Sequence, residues 1–254
     1  MMNLIIAIHG ILTRQTQANW PHVFQAWCAR HQVNATVLTK EYEAGPIPLF
    51  NVHFQNRWLA KGLADEIELF FDDRRFPNIF FIAHSNGTDV ALKTIQLLAA
   101  RGIPTRAFIA VGSVLKSDID SNGVQELVLA ADLDRAISYS SNNDLAIKWG
   151  QHSLGYGGLG RTGWTREGNP LHSVTTFGDR AIPAGDASLQ VSELNIFTRR
   201  FDAFGHGDYF STPNIDAIFA SFRKDCGLGE RQRSEDGGQK SEEPSQTSPL
   251  RGIS

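Results

Sequence analysis

Residues 82–87 read Ile-Ala-His-Ser-Asn-Gly, and they set Ser85 at the seam between an apolar run and an amphipathic stretch. A serine on such a strand-to-helix turn adopts a strained backbone conformation that holds its Oγ clear of the sheet. The residues two before and two after it must be small, because strand and helix approach closely there. Ala83 and Gly87 meet that demand, giving A-x-S-x-G where the usual pattern is G-x-S-x-G. The chemistry this suits is nucleophilic attack on a carbonyl. The backbone N–H of Asn86, at the start of the following helix, would face the developing oxyanion. A plain helix cap is the competing role for Ser85, since serine is a favoured N-cap.

An oxyanion hole needs a second donor. His9-Gly10-Ile11-Leu12 follows the first apolar run, and Gly10 allows close backbone approach. The N–H of Ile11 is the candidate donor, with Leu12 second. A hydroxyl also needs a base. Of the eight histidines, His206 has the most suitable context, in Phe204-Gly205-His206-Gly207-Asp208. Glycines flank it, a strand candidate precedes it and a helix follows. His172 is the competitor, although it precedes its strand. The acid that orients the imidazole should close a strand. Asp144 does so at the end of an apolar run from Ile137 through a Ser/Asn turn. Asp118, Asp120 and Asp179 close no strand so plainly, and Asp208 is very near His206 in sequence. Each of these residues also has an ordinary reading, as a loop histidine or a turn aspartate.

Ser85, Asp144 and His206 are separated by 59 and 62 residues, and each gap holds at least one strand–helix unit. Each residue can therefore end a different strand on one edge of a sheet. Serine, acid, histidine is the chain order of an α/β-hydrolase triad. Over roughly residues 3–225 the sequence resembles a small α/β-hydrolase of the serine esterase or lipase type. That resemblance implies an eight-stranded, mostly parallel sheet and acyl transfer through a serine ester. It implies Ser85 as nucleophile, His206 as base, Asp144 as acid, and Asn86 and Ile11 as oxyanion donors. Such chemistry needs no cofactor, and no His/Cys/Asp/Glu cluster in the sequence has metal-ligand spacing, so no metal is expected. The sequence departs from the family at Ala83, and its first strand starts at Leu4, where two earlier strands are usual.

The elements that would position these residues alternate along the chain. Strands are expected at 4–8, 35–39, 78–83, 106–111 and 135–140, with weaker ones at 173–177 and 194–197. Helices are expected at 19–31, 57–71, 86–101 and 215–222. Continuous apolar runs such as Leu4–Ile8 suit strands buried on both faces. The alternation predicts an α/β fold: a mostly parallel twisted sheet with helices on both faces, three layers α/β/α. Residues 1–228 read as one catalytic domain. Residues 229–254 hold no aromatic residue and only Leu250 and Ile253 as large aliphatics, so they are expected to be a disordered polar tail.

Two stretches read as irregular and lid-like, near 43–53 and 150–170. The second contains seven glycines. It lacks the Lys-Ser/Thr pair of a phosphate loop. Its Arg161 and Arg166 read as solvated, with steering of an anionic substrate as the other role. Phe50, Phe54 and Trp58, at i, i+4 and i+8, read as core packing ahead of an acyl-pocket lining. Cys28 reads as packing.

Composition narrows the partners. The 254 residues carry 24 Lys+Arg against 27 Asp+Glu, a net charge of −3, so no global basic excess draws the chain to nucleic acid. Two cysteines make no disulfide framework, and no apolar run reaches transmembrane length. The apolar start lacks a basic leader, so a cytoplasmic protein is expected. The expected partner is a small-molecule or lipid-like acyl substrate. The alternative is a hydrolase fold retained as a non-catalytic binding or interaction module, which such folds normally become by losing a triad member.

Overall fold

Alternate residues of one strand face two different cores, and this fixes the layering. The computed structural model describes residues 2–10, 20–40, 52–72, 76–153, 156–171, 177–181 and 206–229. In strand β1 (Asn3–Ile8), Leu4, Ile6 and Ile8 point into one apolar cluster, and Ile5 and Ala7 into another. None of these five side chains is more than 2 % exposed. Strand β3 (Ile79–His84) divides the same way, with Phe81 and Ala83 on one side and Phe80 and Ile82 on the other. Burial on both faces is why these runs are continuously apolar, and each such large side chain stabilises the fold by roughly 1.5–3 kcal/mol.

Strands β2 (Ala35–Lys40), β4 (Ala107–Val111) and β5 (Ala136–Ser140) complete the main sheet with β8 (Phe177–Ala181). Between β5 and β8 a short hairpin pairs β6 (Thr165–Arg166) with β7 (Asn169–Pro170). The six-stranded sheet runs β2-β1-β3-β4-β5-β8, and every pair in it is parallel. The resemblance implies an eight-stranded sheet; among the described residues the main sheet has six strands.

Helix α1 (Trp20–Arg30) and the last helix, Ile215–Asp225, cover one face. Helices α2 (Val52–Asp72), α3 (Gly87–Ala99) and α4 (Val124–Leu129) cover the other. Three layers α/β/α result, as the alternation predicts. After β1 the chain passes to the edge strand β2, then returns to lay β3 on the other side of β1. The strand order therefore reverses between β1 and β3. Ligands of open α/β sheets bind outside the carboxyl ends of the strands at such a point. His9 and Gly10 follow β1 there, and Ser85 follows β3.

Several expectations need correction. Helix α2 begins at Val52, ahead of the expected 57. Phe54 and Trp58 lie on its outer face, 70 % and 76 % exposed, so they are not core; Phe50 lies outside the described residues. The strand expected at 173–177 is seen as Phe177–Ala181, its first four residues falling outside the described ones. The strand expected at 194–197, most of the 43–53 stretch and residues 230–254 also lie outside them.

Among its described residues the 150–170 stretch carries regular elements. It contains the end of helix α5 (Leu145–Ser153), the short helix α6 (Leu159–Thr162) and the β6–β7 hairpin. Two of its glycines, Gly157 and Gly160, serve close packing of backbone on backbone. A Cβ on Gly157 would fall 2.0 Å from the Leu115 carbonyl oxygen, and one on Gly160 would fall 2.5 Å from the carbonyl carbon of Gly112. Hydrogen bonds from Gly157 N to Val114 O (2.7 Å) and Gly160 N to Ser113 O (2.9 Å) hold the two segments together. Among the described residues no helix is long and apolar enough to cross a membrane.

Candidate active site

Four neighbouring strands bring their carboxyl ends to one rim, and each contributes to the site. Strand β3 ends in the turn carrying Ser85, whose φ of 54° is left-handed. Only a turn that over-determines its backbone holds a non-glycine residue there. The determinants are visible. Ser85 N donates to Val111 O at the end of β4 (3.0 Å), and Ser85 O accepts from Thr88 N (3.1 Å) and Thr88 Oγ1 (2.6 Å). Thr88 Oγ1 in turn accepts from Ser113 Oγ (2.9 Å), which ties the elbow to the loop after β4. Gly87 is needed as the sequence pattern requires, since a Cβ there would lie 2.4 Å from His9 O.

Ser85 does not cap the helix. The capping position of α3 is Asn86, with no side-chain capping bond, and Ser85 Oγ makes no hydrogen bond among the described residues. Asn86 is buried, and its amide exchanges two hydrogen bonds with Asn56 of α2 (3.0 and 2.9 Å). Asn56 also donates to Asp89 Oδ2 (2.7 Å). The side chain of Asn86 is thus held from behind, which fixes the first turn of α3 beside Ser85.

Strand β1 ends at His9 and Gly10. A Cβ on Gly10 would stand 2.6 Å from Ser85 Cβ and 3.1 Å from Ser85 Oγ, so this backbone runs directly against the serine. His9 Nδ1 donates to Gly10 O. Ile11 and Leu12, named for the second oxyanion donor, lie outside the described residues.

Strand β5 ends at Ser140, and a short turn leads to Asp144, which is fully buried. Asp144 opens helix α5 instead of closing the strand. Its Oδ1 accepts from Ile147 N (2.9 Å) in the manner of an N-cap, and its Oδ2 accepts from His206 Nδ1 (2.7 Å). A buried carboxylate is costly unless hydrogen-bonded, and these two bonds engage both of its oxygens. Arg161 donates to Asn142 O through Nη2 (3.0 Å) and Nε (3.3 Å), bracing this turn from outside. Asp118, weighed as a rival acid, instead accepts from the backbone of Asp120, Ser121 and Glu167. Arg166 lies 3.8 Å from Asp120 on the surface. His172 lies outside the described residues.

His206 is half-buried, ahead of a 3-10 turn (Asp208–Phe210) and α7 (Ile215–Asp225). Phe210 stacks on Trp20 with centroids 4.4 Å apart, and Asn214 Nδ2 donates to Asp208 O (2.8 Å), so the segment after the imidazole is anchored. The structure brings His206 and Asp144 into contact and sets Ser85 and Asn86 on the same rim. No hydrogen bond joins Ser85 Oγ to His206 among the described residues.

Two residues at the site were not singled out from the sequence. Gly112, just after β4, has φ +47°, and a Cβ on it would lie 3.1 Å from His206 Nδ1 and 3.4 Å from Asp144 Oδ2. A glycine directly behind a buried strand was the available signal, the same as at Gly10. His84, the residue before the serine, is buried with its ring 4.6 Å from that of His206. Burial, and next the charge of His206, push its pKa well below the usual histidine value. It stays neutral.

No protein-family model and no curated protein sequence matches the chain. Similar solved structures include an uncharacterized protein from Bacillus cereus, with a TM-score of 0.51 at 13% identity over 88% of this chain and 59% of that one. The chain thus spans about three-fifths of that protein's length. They also include the RedJ thioesterase from the prodiginine biosynthetic pathway in Streptomyces coelicolor (TM-score 0.46, 15% identity, 88% and 90% covered). A third is phospholipase PlaB from Legionella pneumophila (0.47, 14%, 91% and 59%). A parallel sheet of this strand order, covered by helices on both faces and carrying a left-handed serine in the turn beyond the strand at its switch point, gives the chain a three-layer α/β/α fold.

Proposed function

We propose that this chain is a serine hydrolase that cleaves a carboxylic ester or a related acyl bond through an acyl-enzyme. The observation that carries the reading is the 2.7 Å contact between His206 Nδ1 and the fully buried Asp144 carboxylate. A carboxylate can only accept, so the neutral imidazole carries its proton on Nδ1 and its lone pair on Nε2. That is the tautomer a base acting on a serine needs.

In this reading Ser85 Oγ attacks the substrate carbonyl carbon while His206 Nε2 takes the hydroxyl proton. The new C–O bond forms as the carbonyl π pair moves onto oxygen. The N–H groups of Asn86 and Ile11 receive that oxyanion. Asp144 stabilises the imidazolium. The tetrahedral intermediate collapses, the leaving oxygen departs with the proton from Nε2, and Ser85 is left acylated. Water, deprotonated by the same nitrogen, releases the acid and restores the serine. In the ground state the serine–imidazole hydrogen bond is open, as catalytic bonds often are before substrate arrives. Thioesters and amides pass through the same steps, so ester chemistry is the first substrate class to assay.

The test is hydrolysis of p-nitrophenyl esters of graded acyl length by the wild-type protein and by Ser85→Ala. The proposal expects turnover in the first and a loss on the order of a thousandfold or more in the second. A rate that survives Ser85→Ala places the chemistry elsewhere. A binding module with an inert serine would show no turnover in either protein.

A further inference from the structure

We infer that His84 is a positioning residue: its imidazole grips the loop that carries His206 and couples the base to the turn that carries Ser85. The inference rests on the assignment of His206 as the base. His84 Nε2 lies 3.0 Å from the backbone carbonyl oxygen of His206. A carbonyl only accepts, so Nε2 of His84 holds the proton and donates. The other nitrogen, Nδ1, is buried and has no hydrogen-bond partner among the described residues. A phenylalanine or leucine would fill the same space without burying an unpaired acceptor. The feature those residues lack is the donor aimed at His206.

The grip has two points. The His84 ring tilts against the His206 ring at 36°, and it meets Phe210 edge-on with centroids 5.1 Å apart. Phe210 is four residues further along the same loop. His84 is also the last residue of β3, in register with Val111 of β4, and its own C-terminal neighbour is Ser85. Nucleophile and base are thereby linked by a short path through the protein that does not pass through the hydroxyl. That path holds while the Ser85–His206 hydrogen bond is open. Neutrality suits the role, because a second cation beside His206 would oppose the imidazolium that forms during turnover.

Two variants separate the donor from the ring. His84→Phe keeps a ring of similar shape and removes the donor. His84→Gln removes the ring and places an amide N–H near the former Nε2. The inference expects kcat for p-nitrophenyl acetate to fall about tenfold or more in His84→Phe, with KM within about twofold of wild type and cooperative thermal unfolding retained. It expects His84→Gln to recover most of that loss. Equal kcat in His84→Phe and wild type, or a Gln variant as slow as the Phe variant, overturns it. A readout independent of turnover is the downfield proton resonance of the His206 Nδ1–H on Asp144. It should sharpen in wild type and His84→Gln and broaden in His84→Phe. If wild type hydrolyses nothing, the serine-hydrolase reading fails by itself, and this resonance still decides the positioning role. Should His84→Phe not fold, ring-nitrogen NMR of the wild type decides: a neutral Nε2–H tautomer for His84 supports the grip, and an Nδ1–H tautomer or a charged ring at pH 7 overturns it.

Discussion

Gly112 and His206 are packed so closely that a single methyl group on the glycine would stand 3.1 Å from His206 Nδ1. That nitrogen is the one bonded to Asp144. The glycine also sits at φ +47°, where a Cβ is strained whatever the space. Gly112→Ala should therefore disturb the pair twice over. The expected outcome is a fall in kcat of about tenfold or more, with a stability loss of about 1–2 kcal/mol from the backbone conformation. Urea unfolding and steady-state kinetics on one preparation check both. Wild-type kcat in this variant would mean that the His206–Asp144 geometry does not govern the rate.

Asp144 serves two masters, one with each oxygen: Ile147 N on Oδ1 and His206 Nδ1 on Oδ2. Asn in its place keeps one acceptor. If that acceptor stays on the helix N–H, an amide N–H faces the imidazole and forces the wrong tautomer. Asp144→Asn should then cost on the order of ten-thousandfold in kcat, with stability little changed, because asparagine caps a helix about as well as aspartate. Kinetics and thermal unfolding, read together, separate these effects. A large stability loss with unchanged kcat would make Asp144 a cap and nothing more.

His84 gives the fold a defined response to acid. Its pKa lies well below the ordinary histidine value of about 6.5 in the folded protein, because burial and next the charge of His206 disfavour its cation. When the chain unfolds, the ring regains the ordinary value. Above about pH 6.5 neither state binds the proton, and this group adds no pH dependence. Below it the unfolded state binds more protons, so stability falls with pH by up to about 1.4 kcal/mol per unit until the folded pKa is reached. Urea unfolding at pH 7.5 and 5.5 should show a steeper loss for wild type than for His84→Gln. Parallel pH dependence in the two proteins would contradict a buried, neutral His84.

Neither cysteine takes part in the proposed chemistry. Burial raises the Cys28 thiol to about pKa 12, partly offset by Arg223, and burial also raises Cys226. The thiolate is the reactive form. Both thiols should resist a disulfide reagent in the native protein and react once it is unfolded in urea. Rapid native labelling that also abolishes ester hydrolysis would point to a thiol at the site.

How much of this was legible in the sequence follows from which elements are buried. Leu4–Ile8 and Ile79–Ala83 read as strands because burial on both faces leaves no polar position to confuse the pattern. The elbow was legible because small residues are demanded at fixed offsets from Ser85. Helix α5 is hidden in the sequence because the apolar run before Asp144 makes it look like the end of a strand, although an aspartate before Leu145-Ala146-Ile147 is also an N-cap signal. The glycines at 157 and 160 suggested a loose loop. Their purpose, contact with the backbone at 112–116, depends on segments remote in sequence and has no local signature. Phe54 and Trp58 have helical spacing, and spacing says which residues share a face without saying whether that face is covered. The grip of His84 on His206 joins residues 122 apart and is visible only in three dimensions.

An activated serine is the centre of the account, and reaction with a fluorophosphonate probe tests it most directly. Wild-type protein should form one covalent adduct, mapped by mass spectrometry to the peptide bearing Ser85. The adduct should be absent in Ser85→Ala, and its formation should slow on the order of a thousandfold in His206→Ala. No adduct in folded wild-type protein, or an adduct that persists in Ser85→Ala, would contradict it.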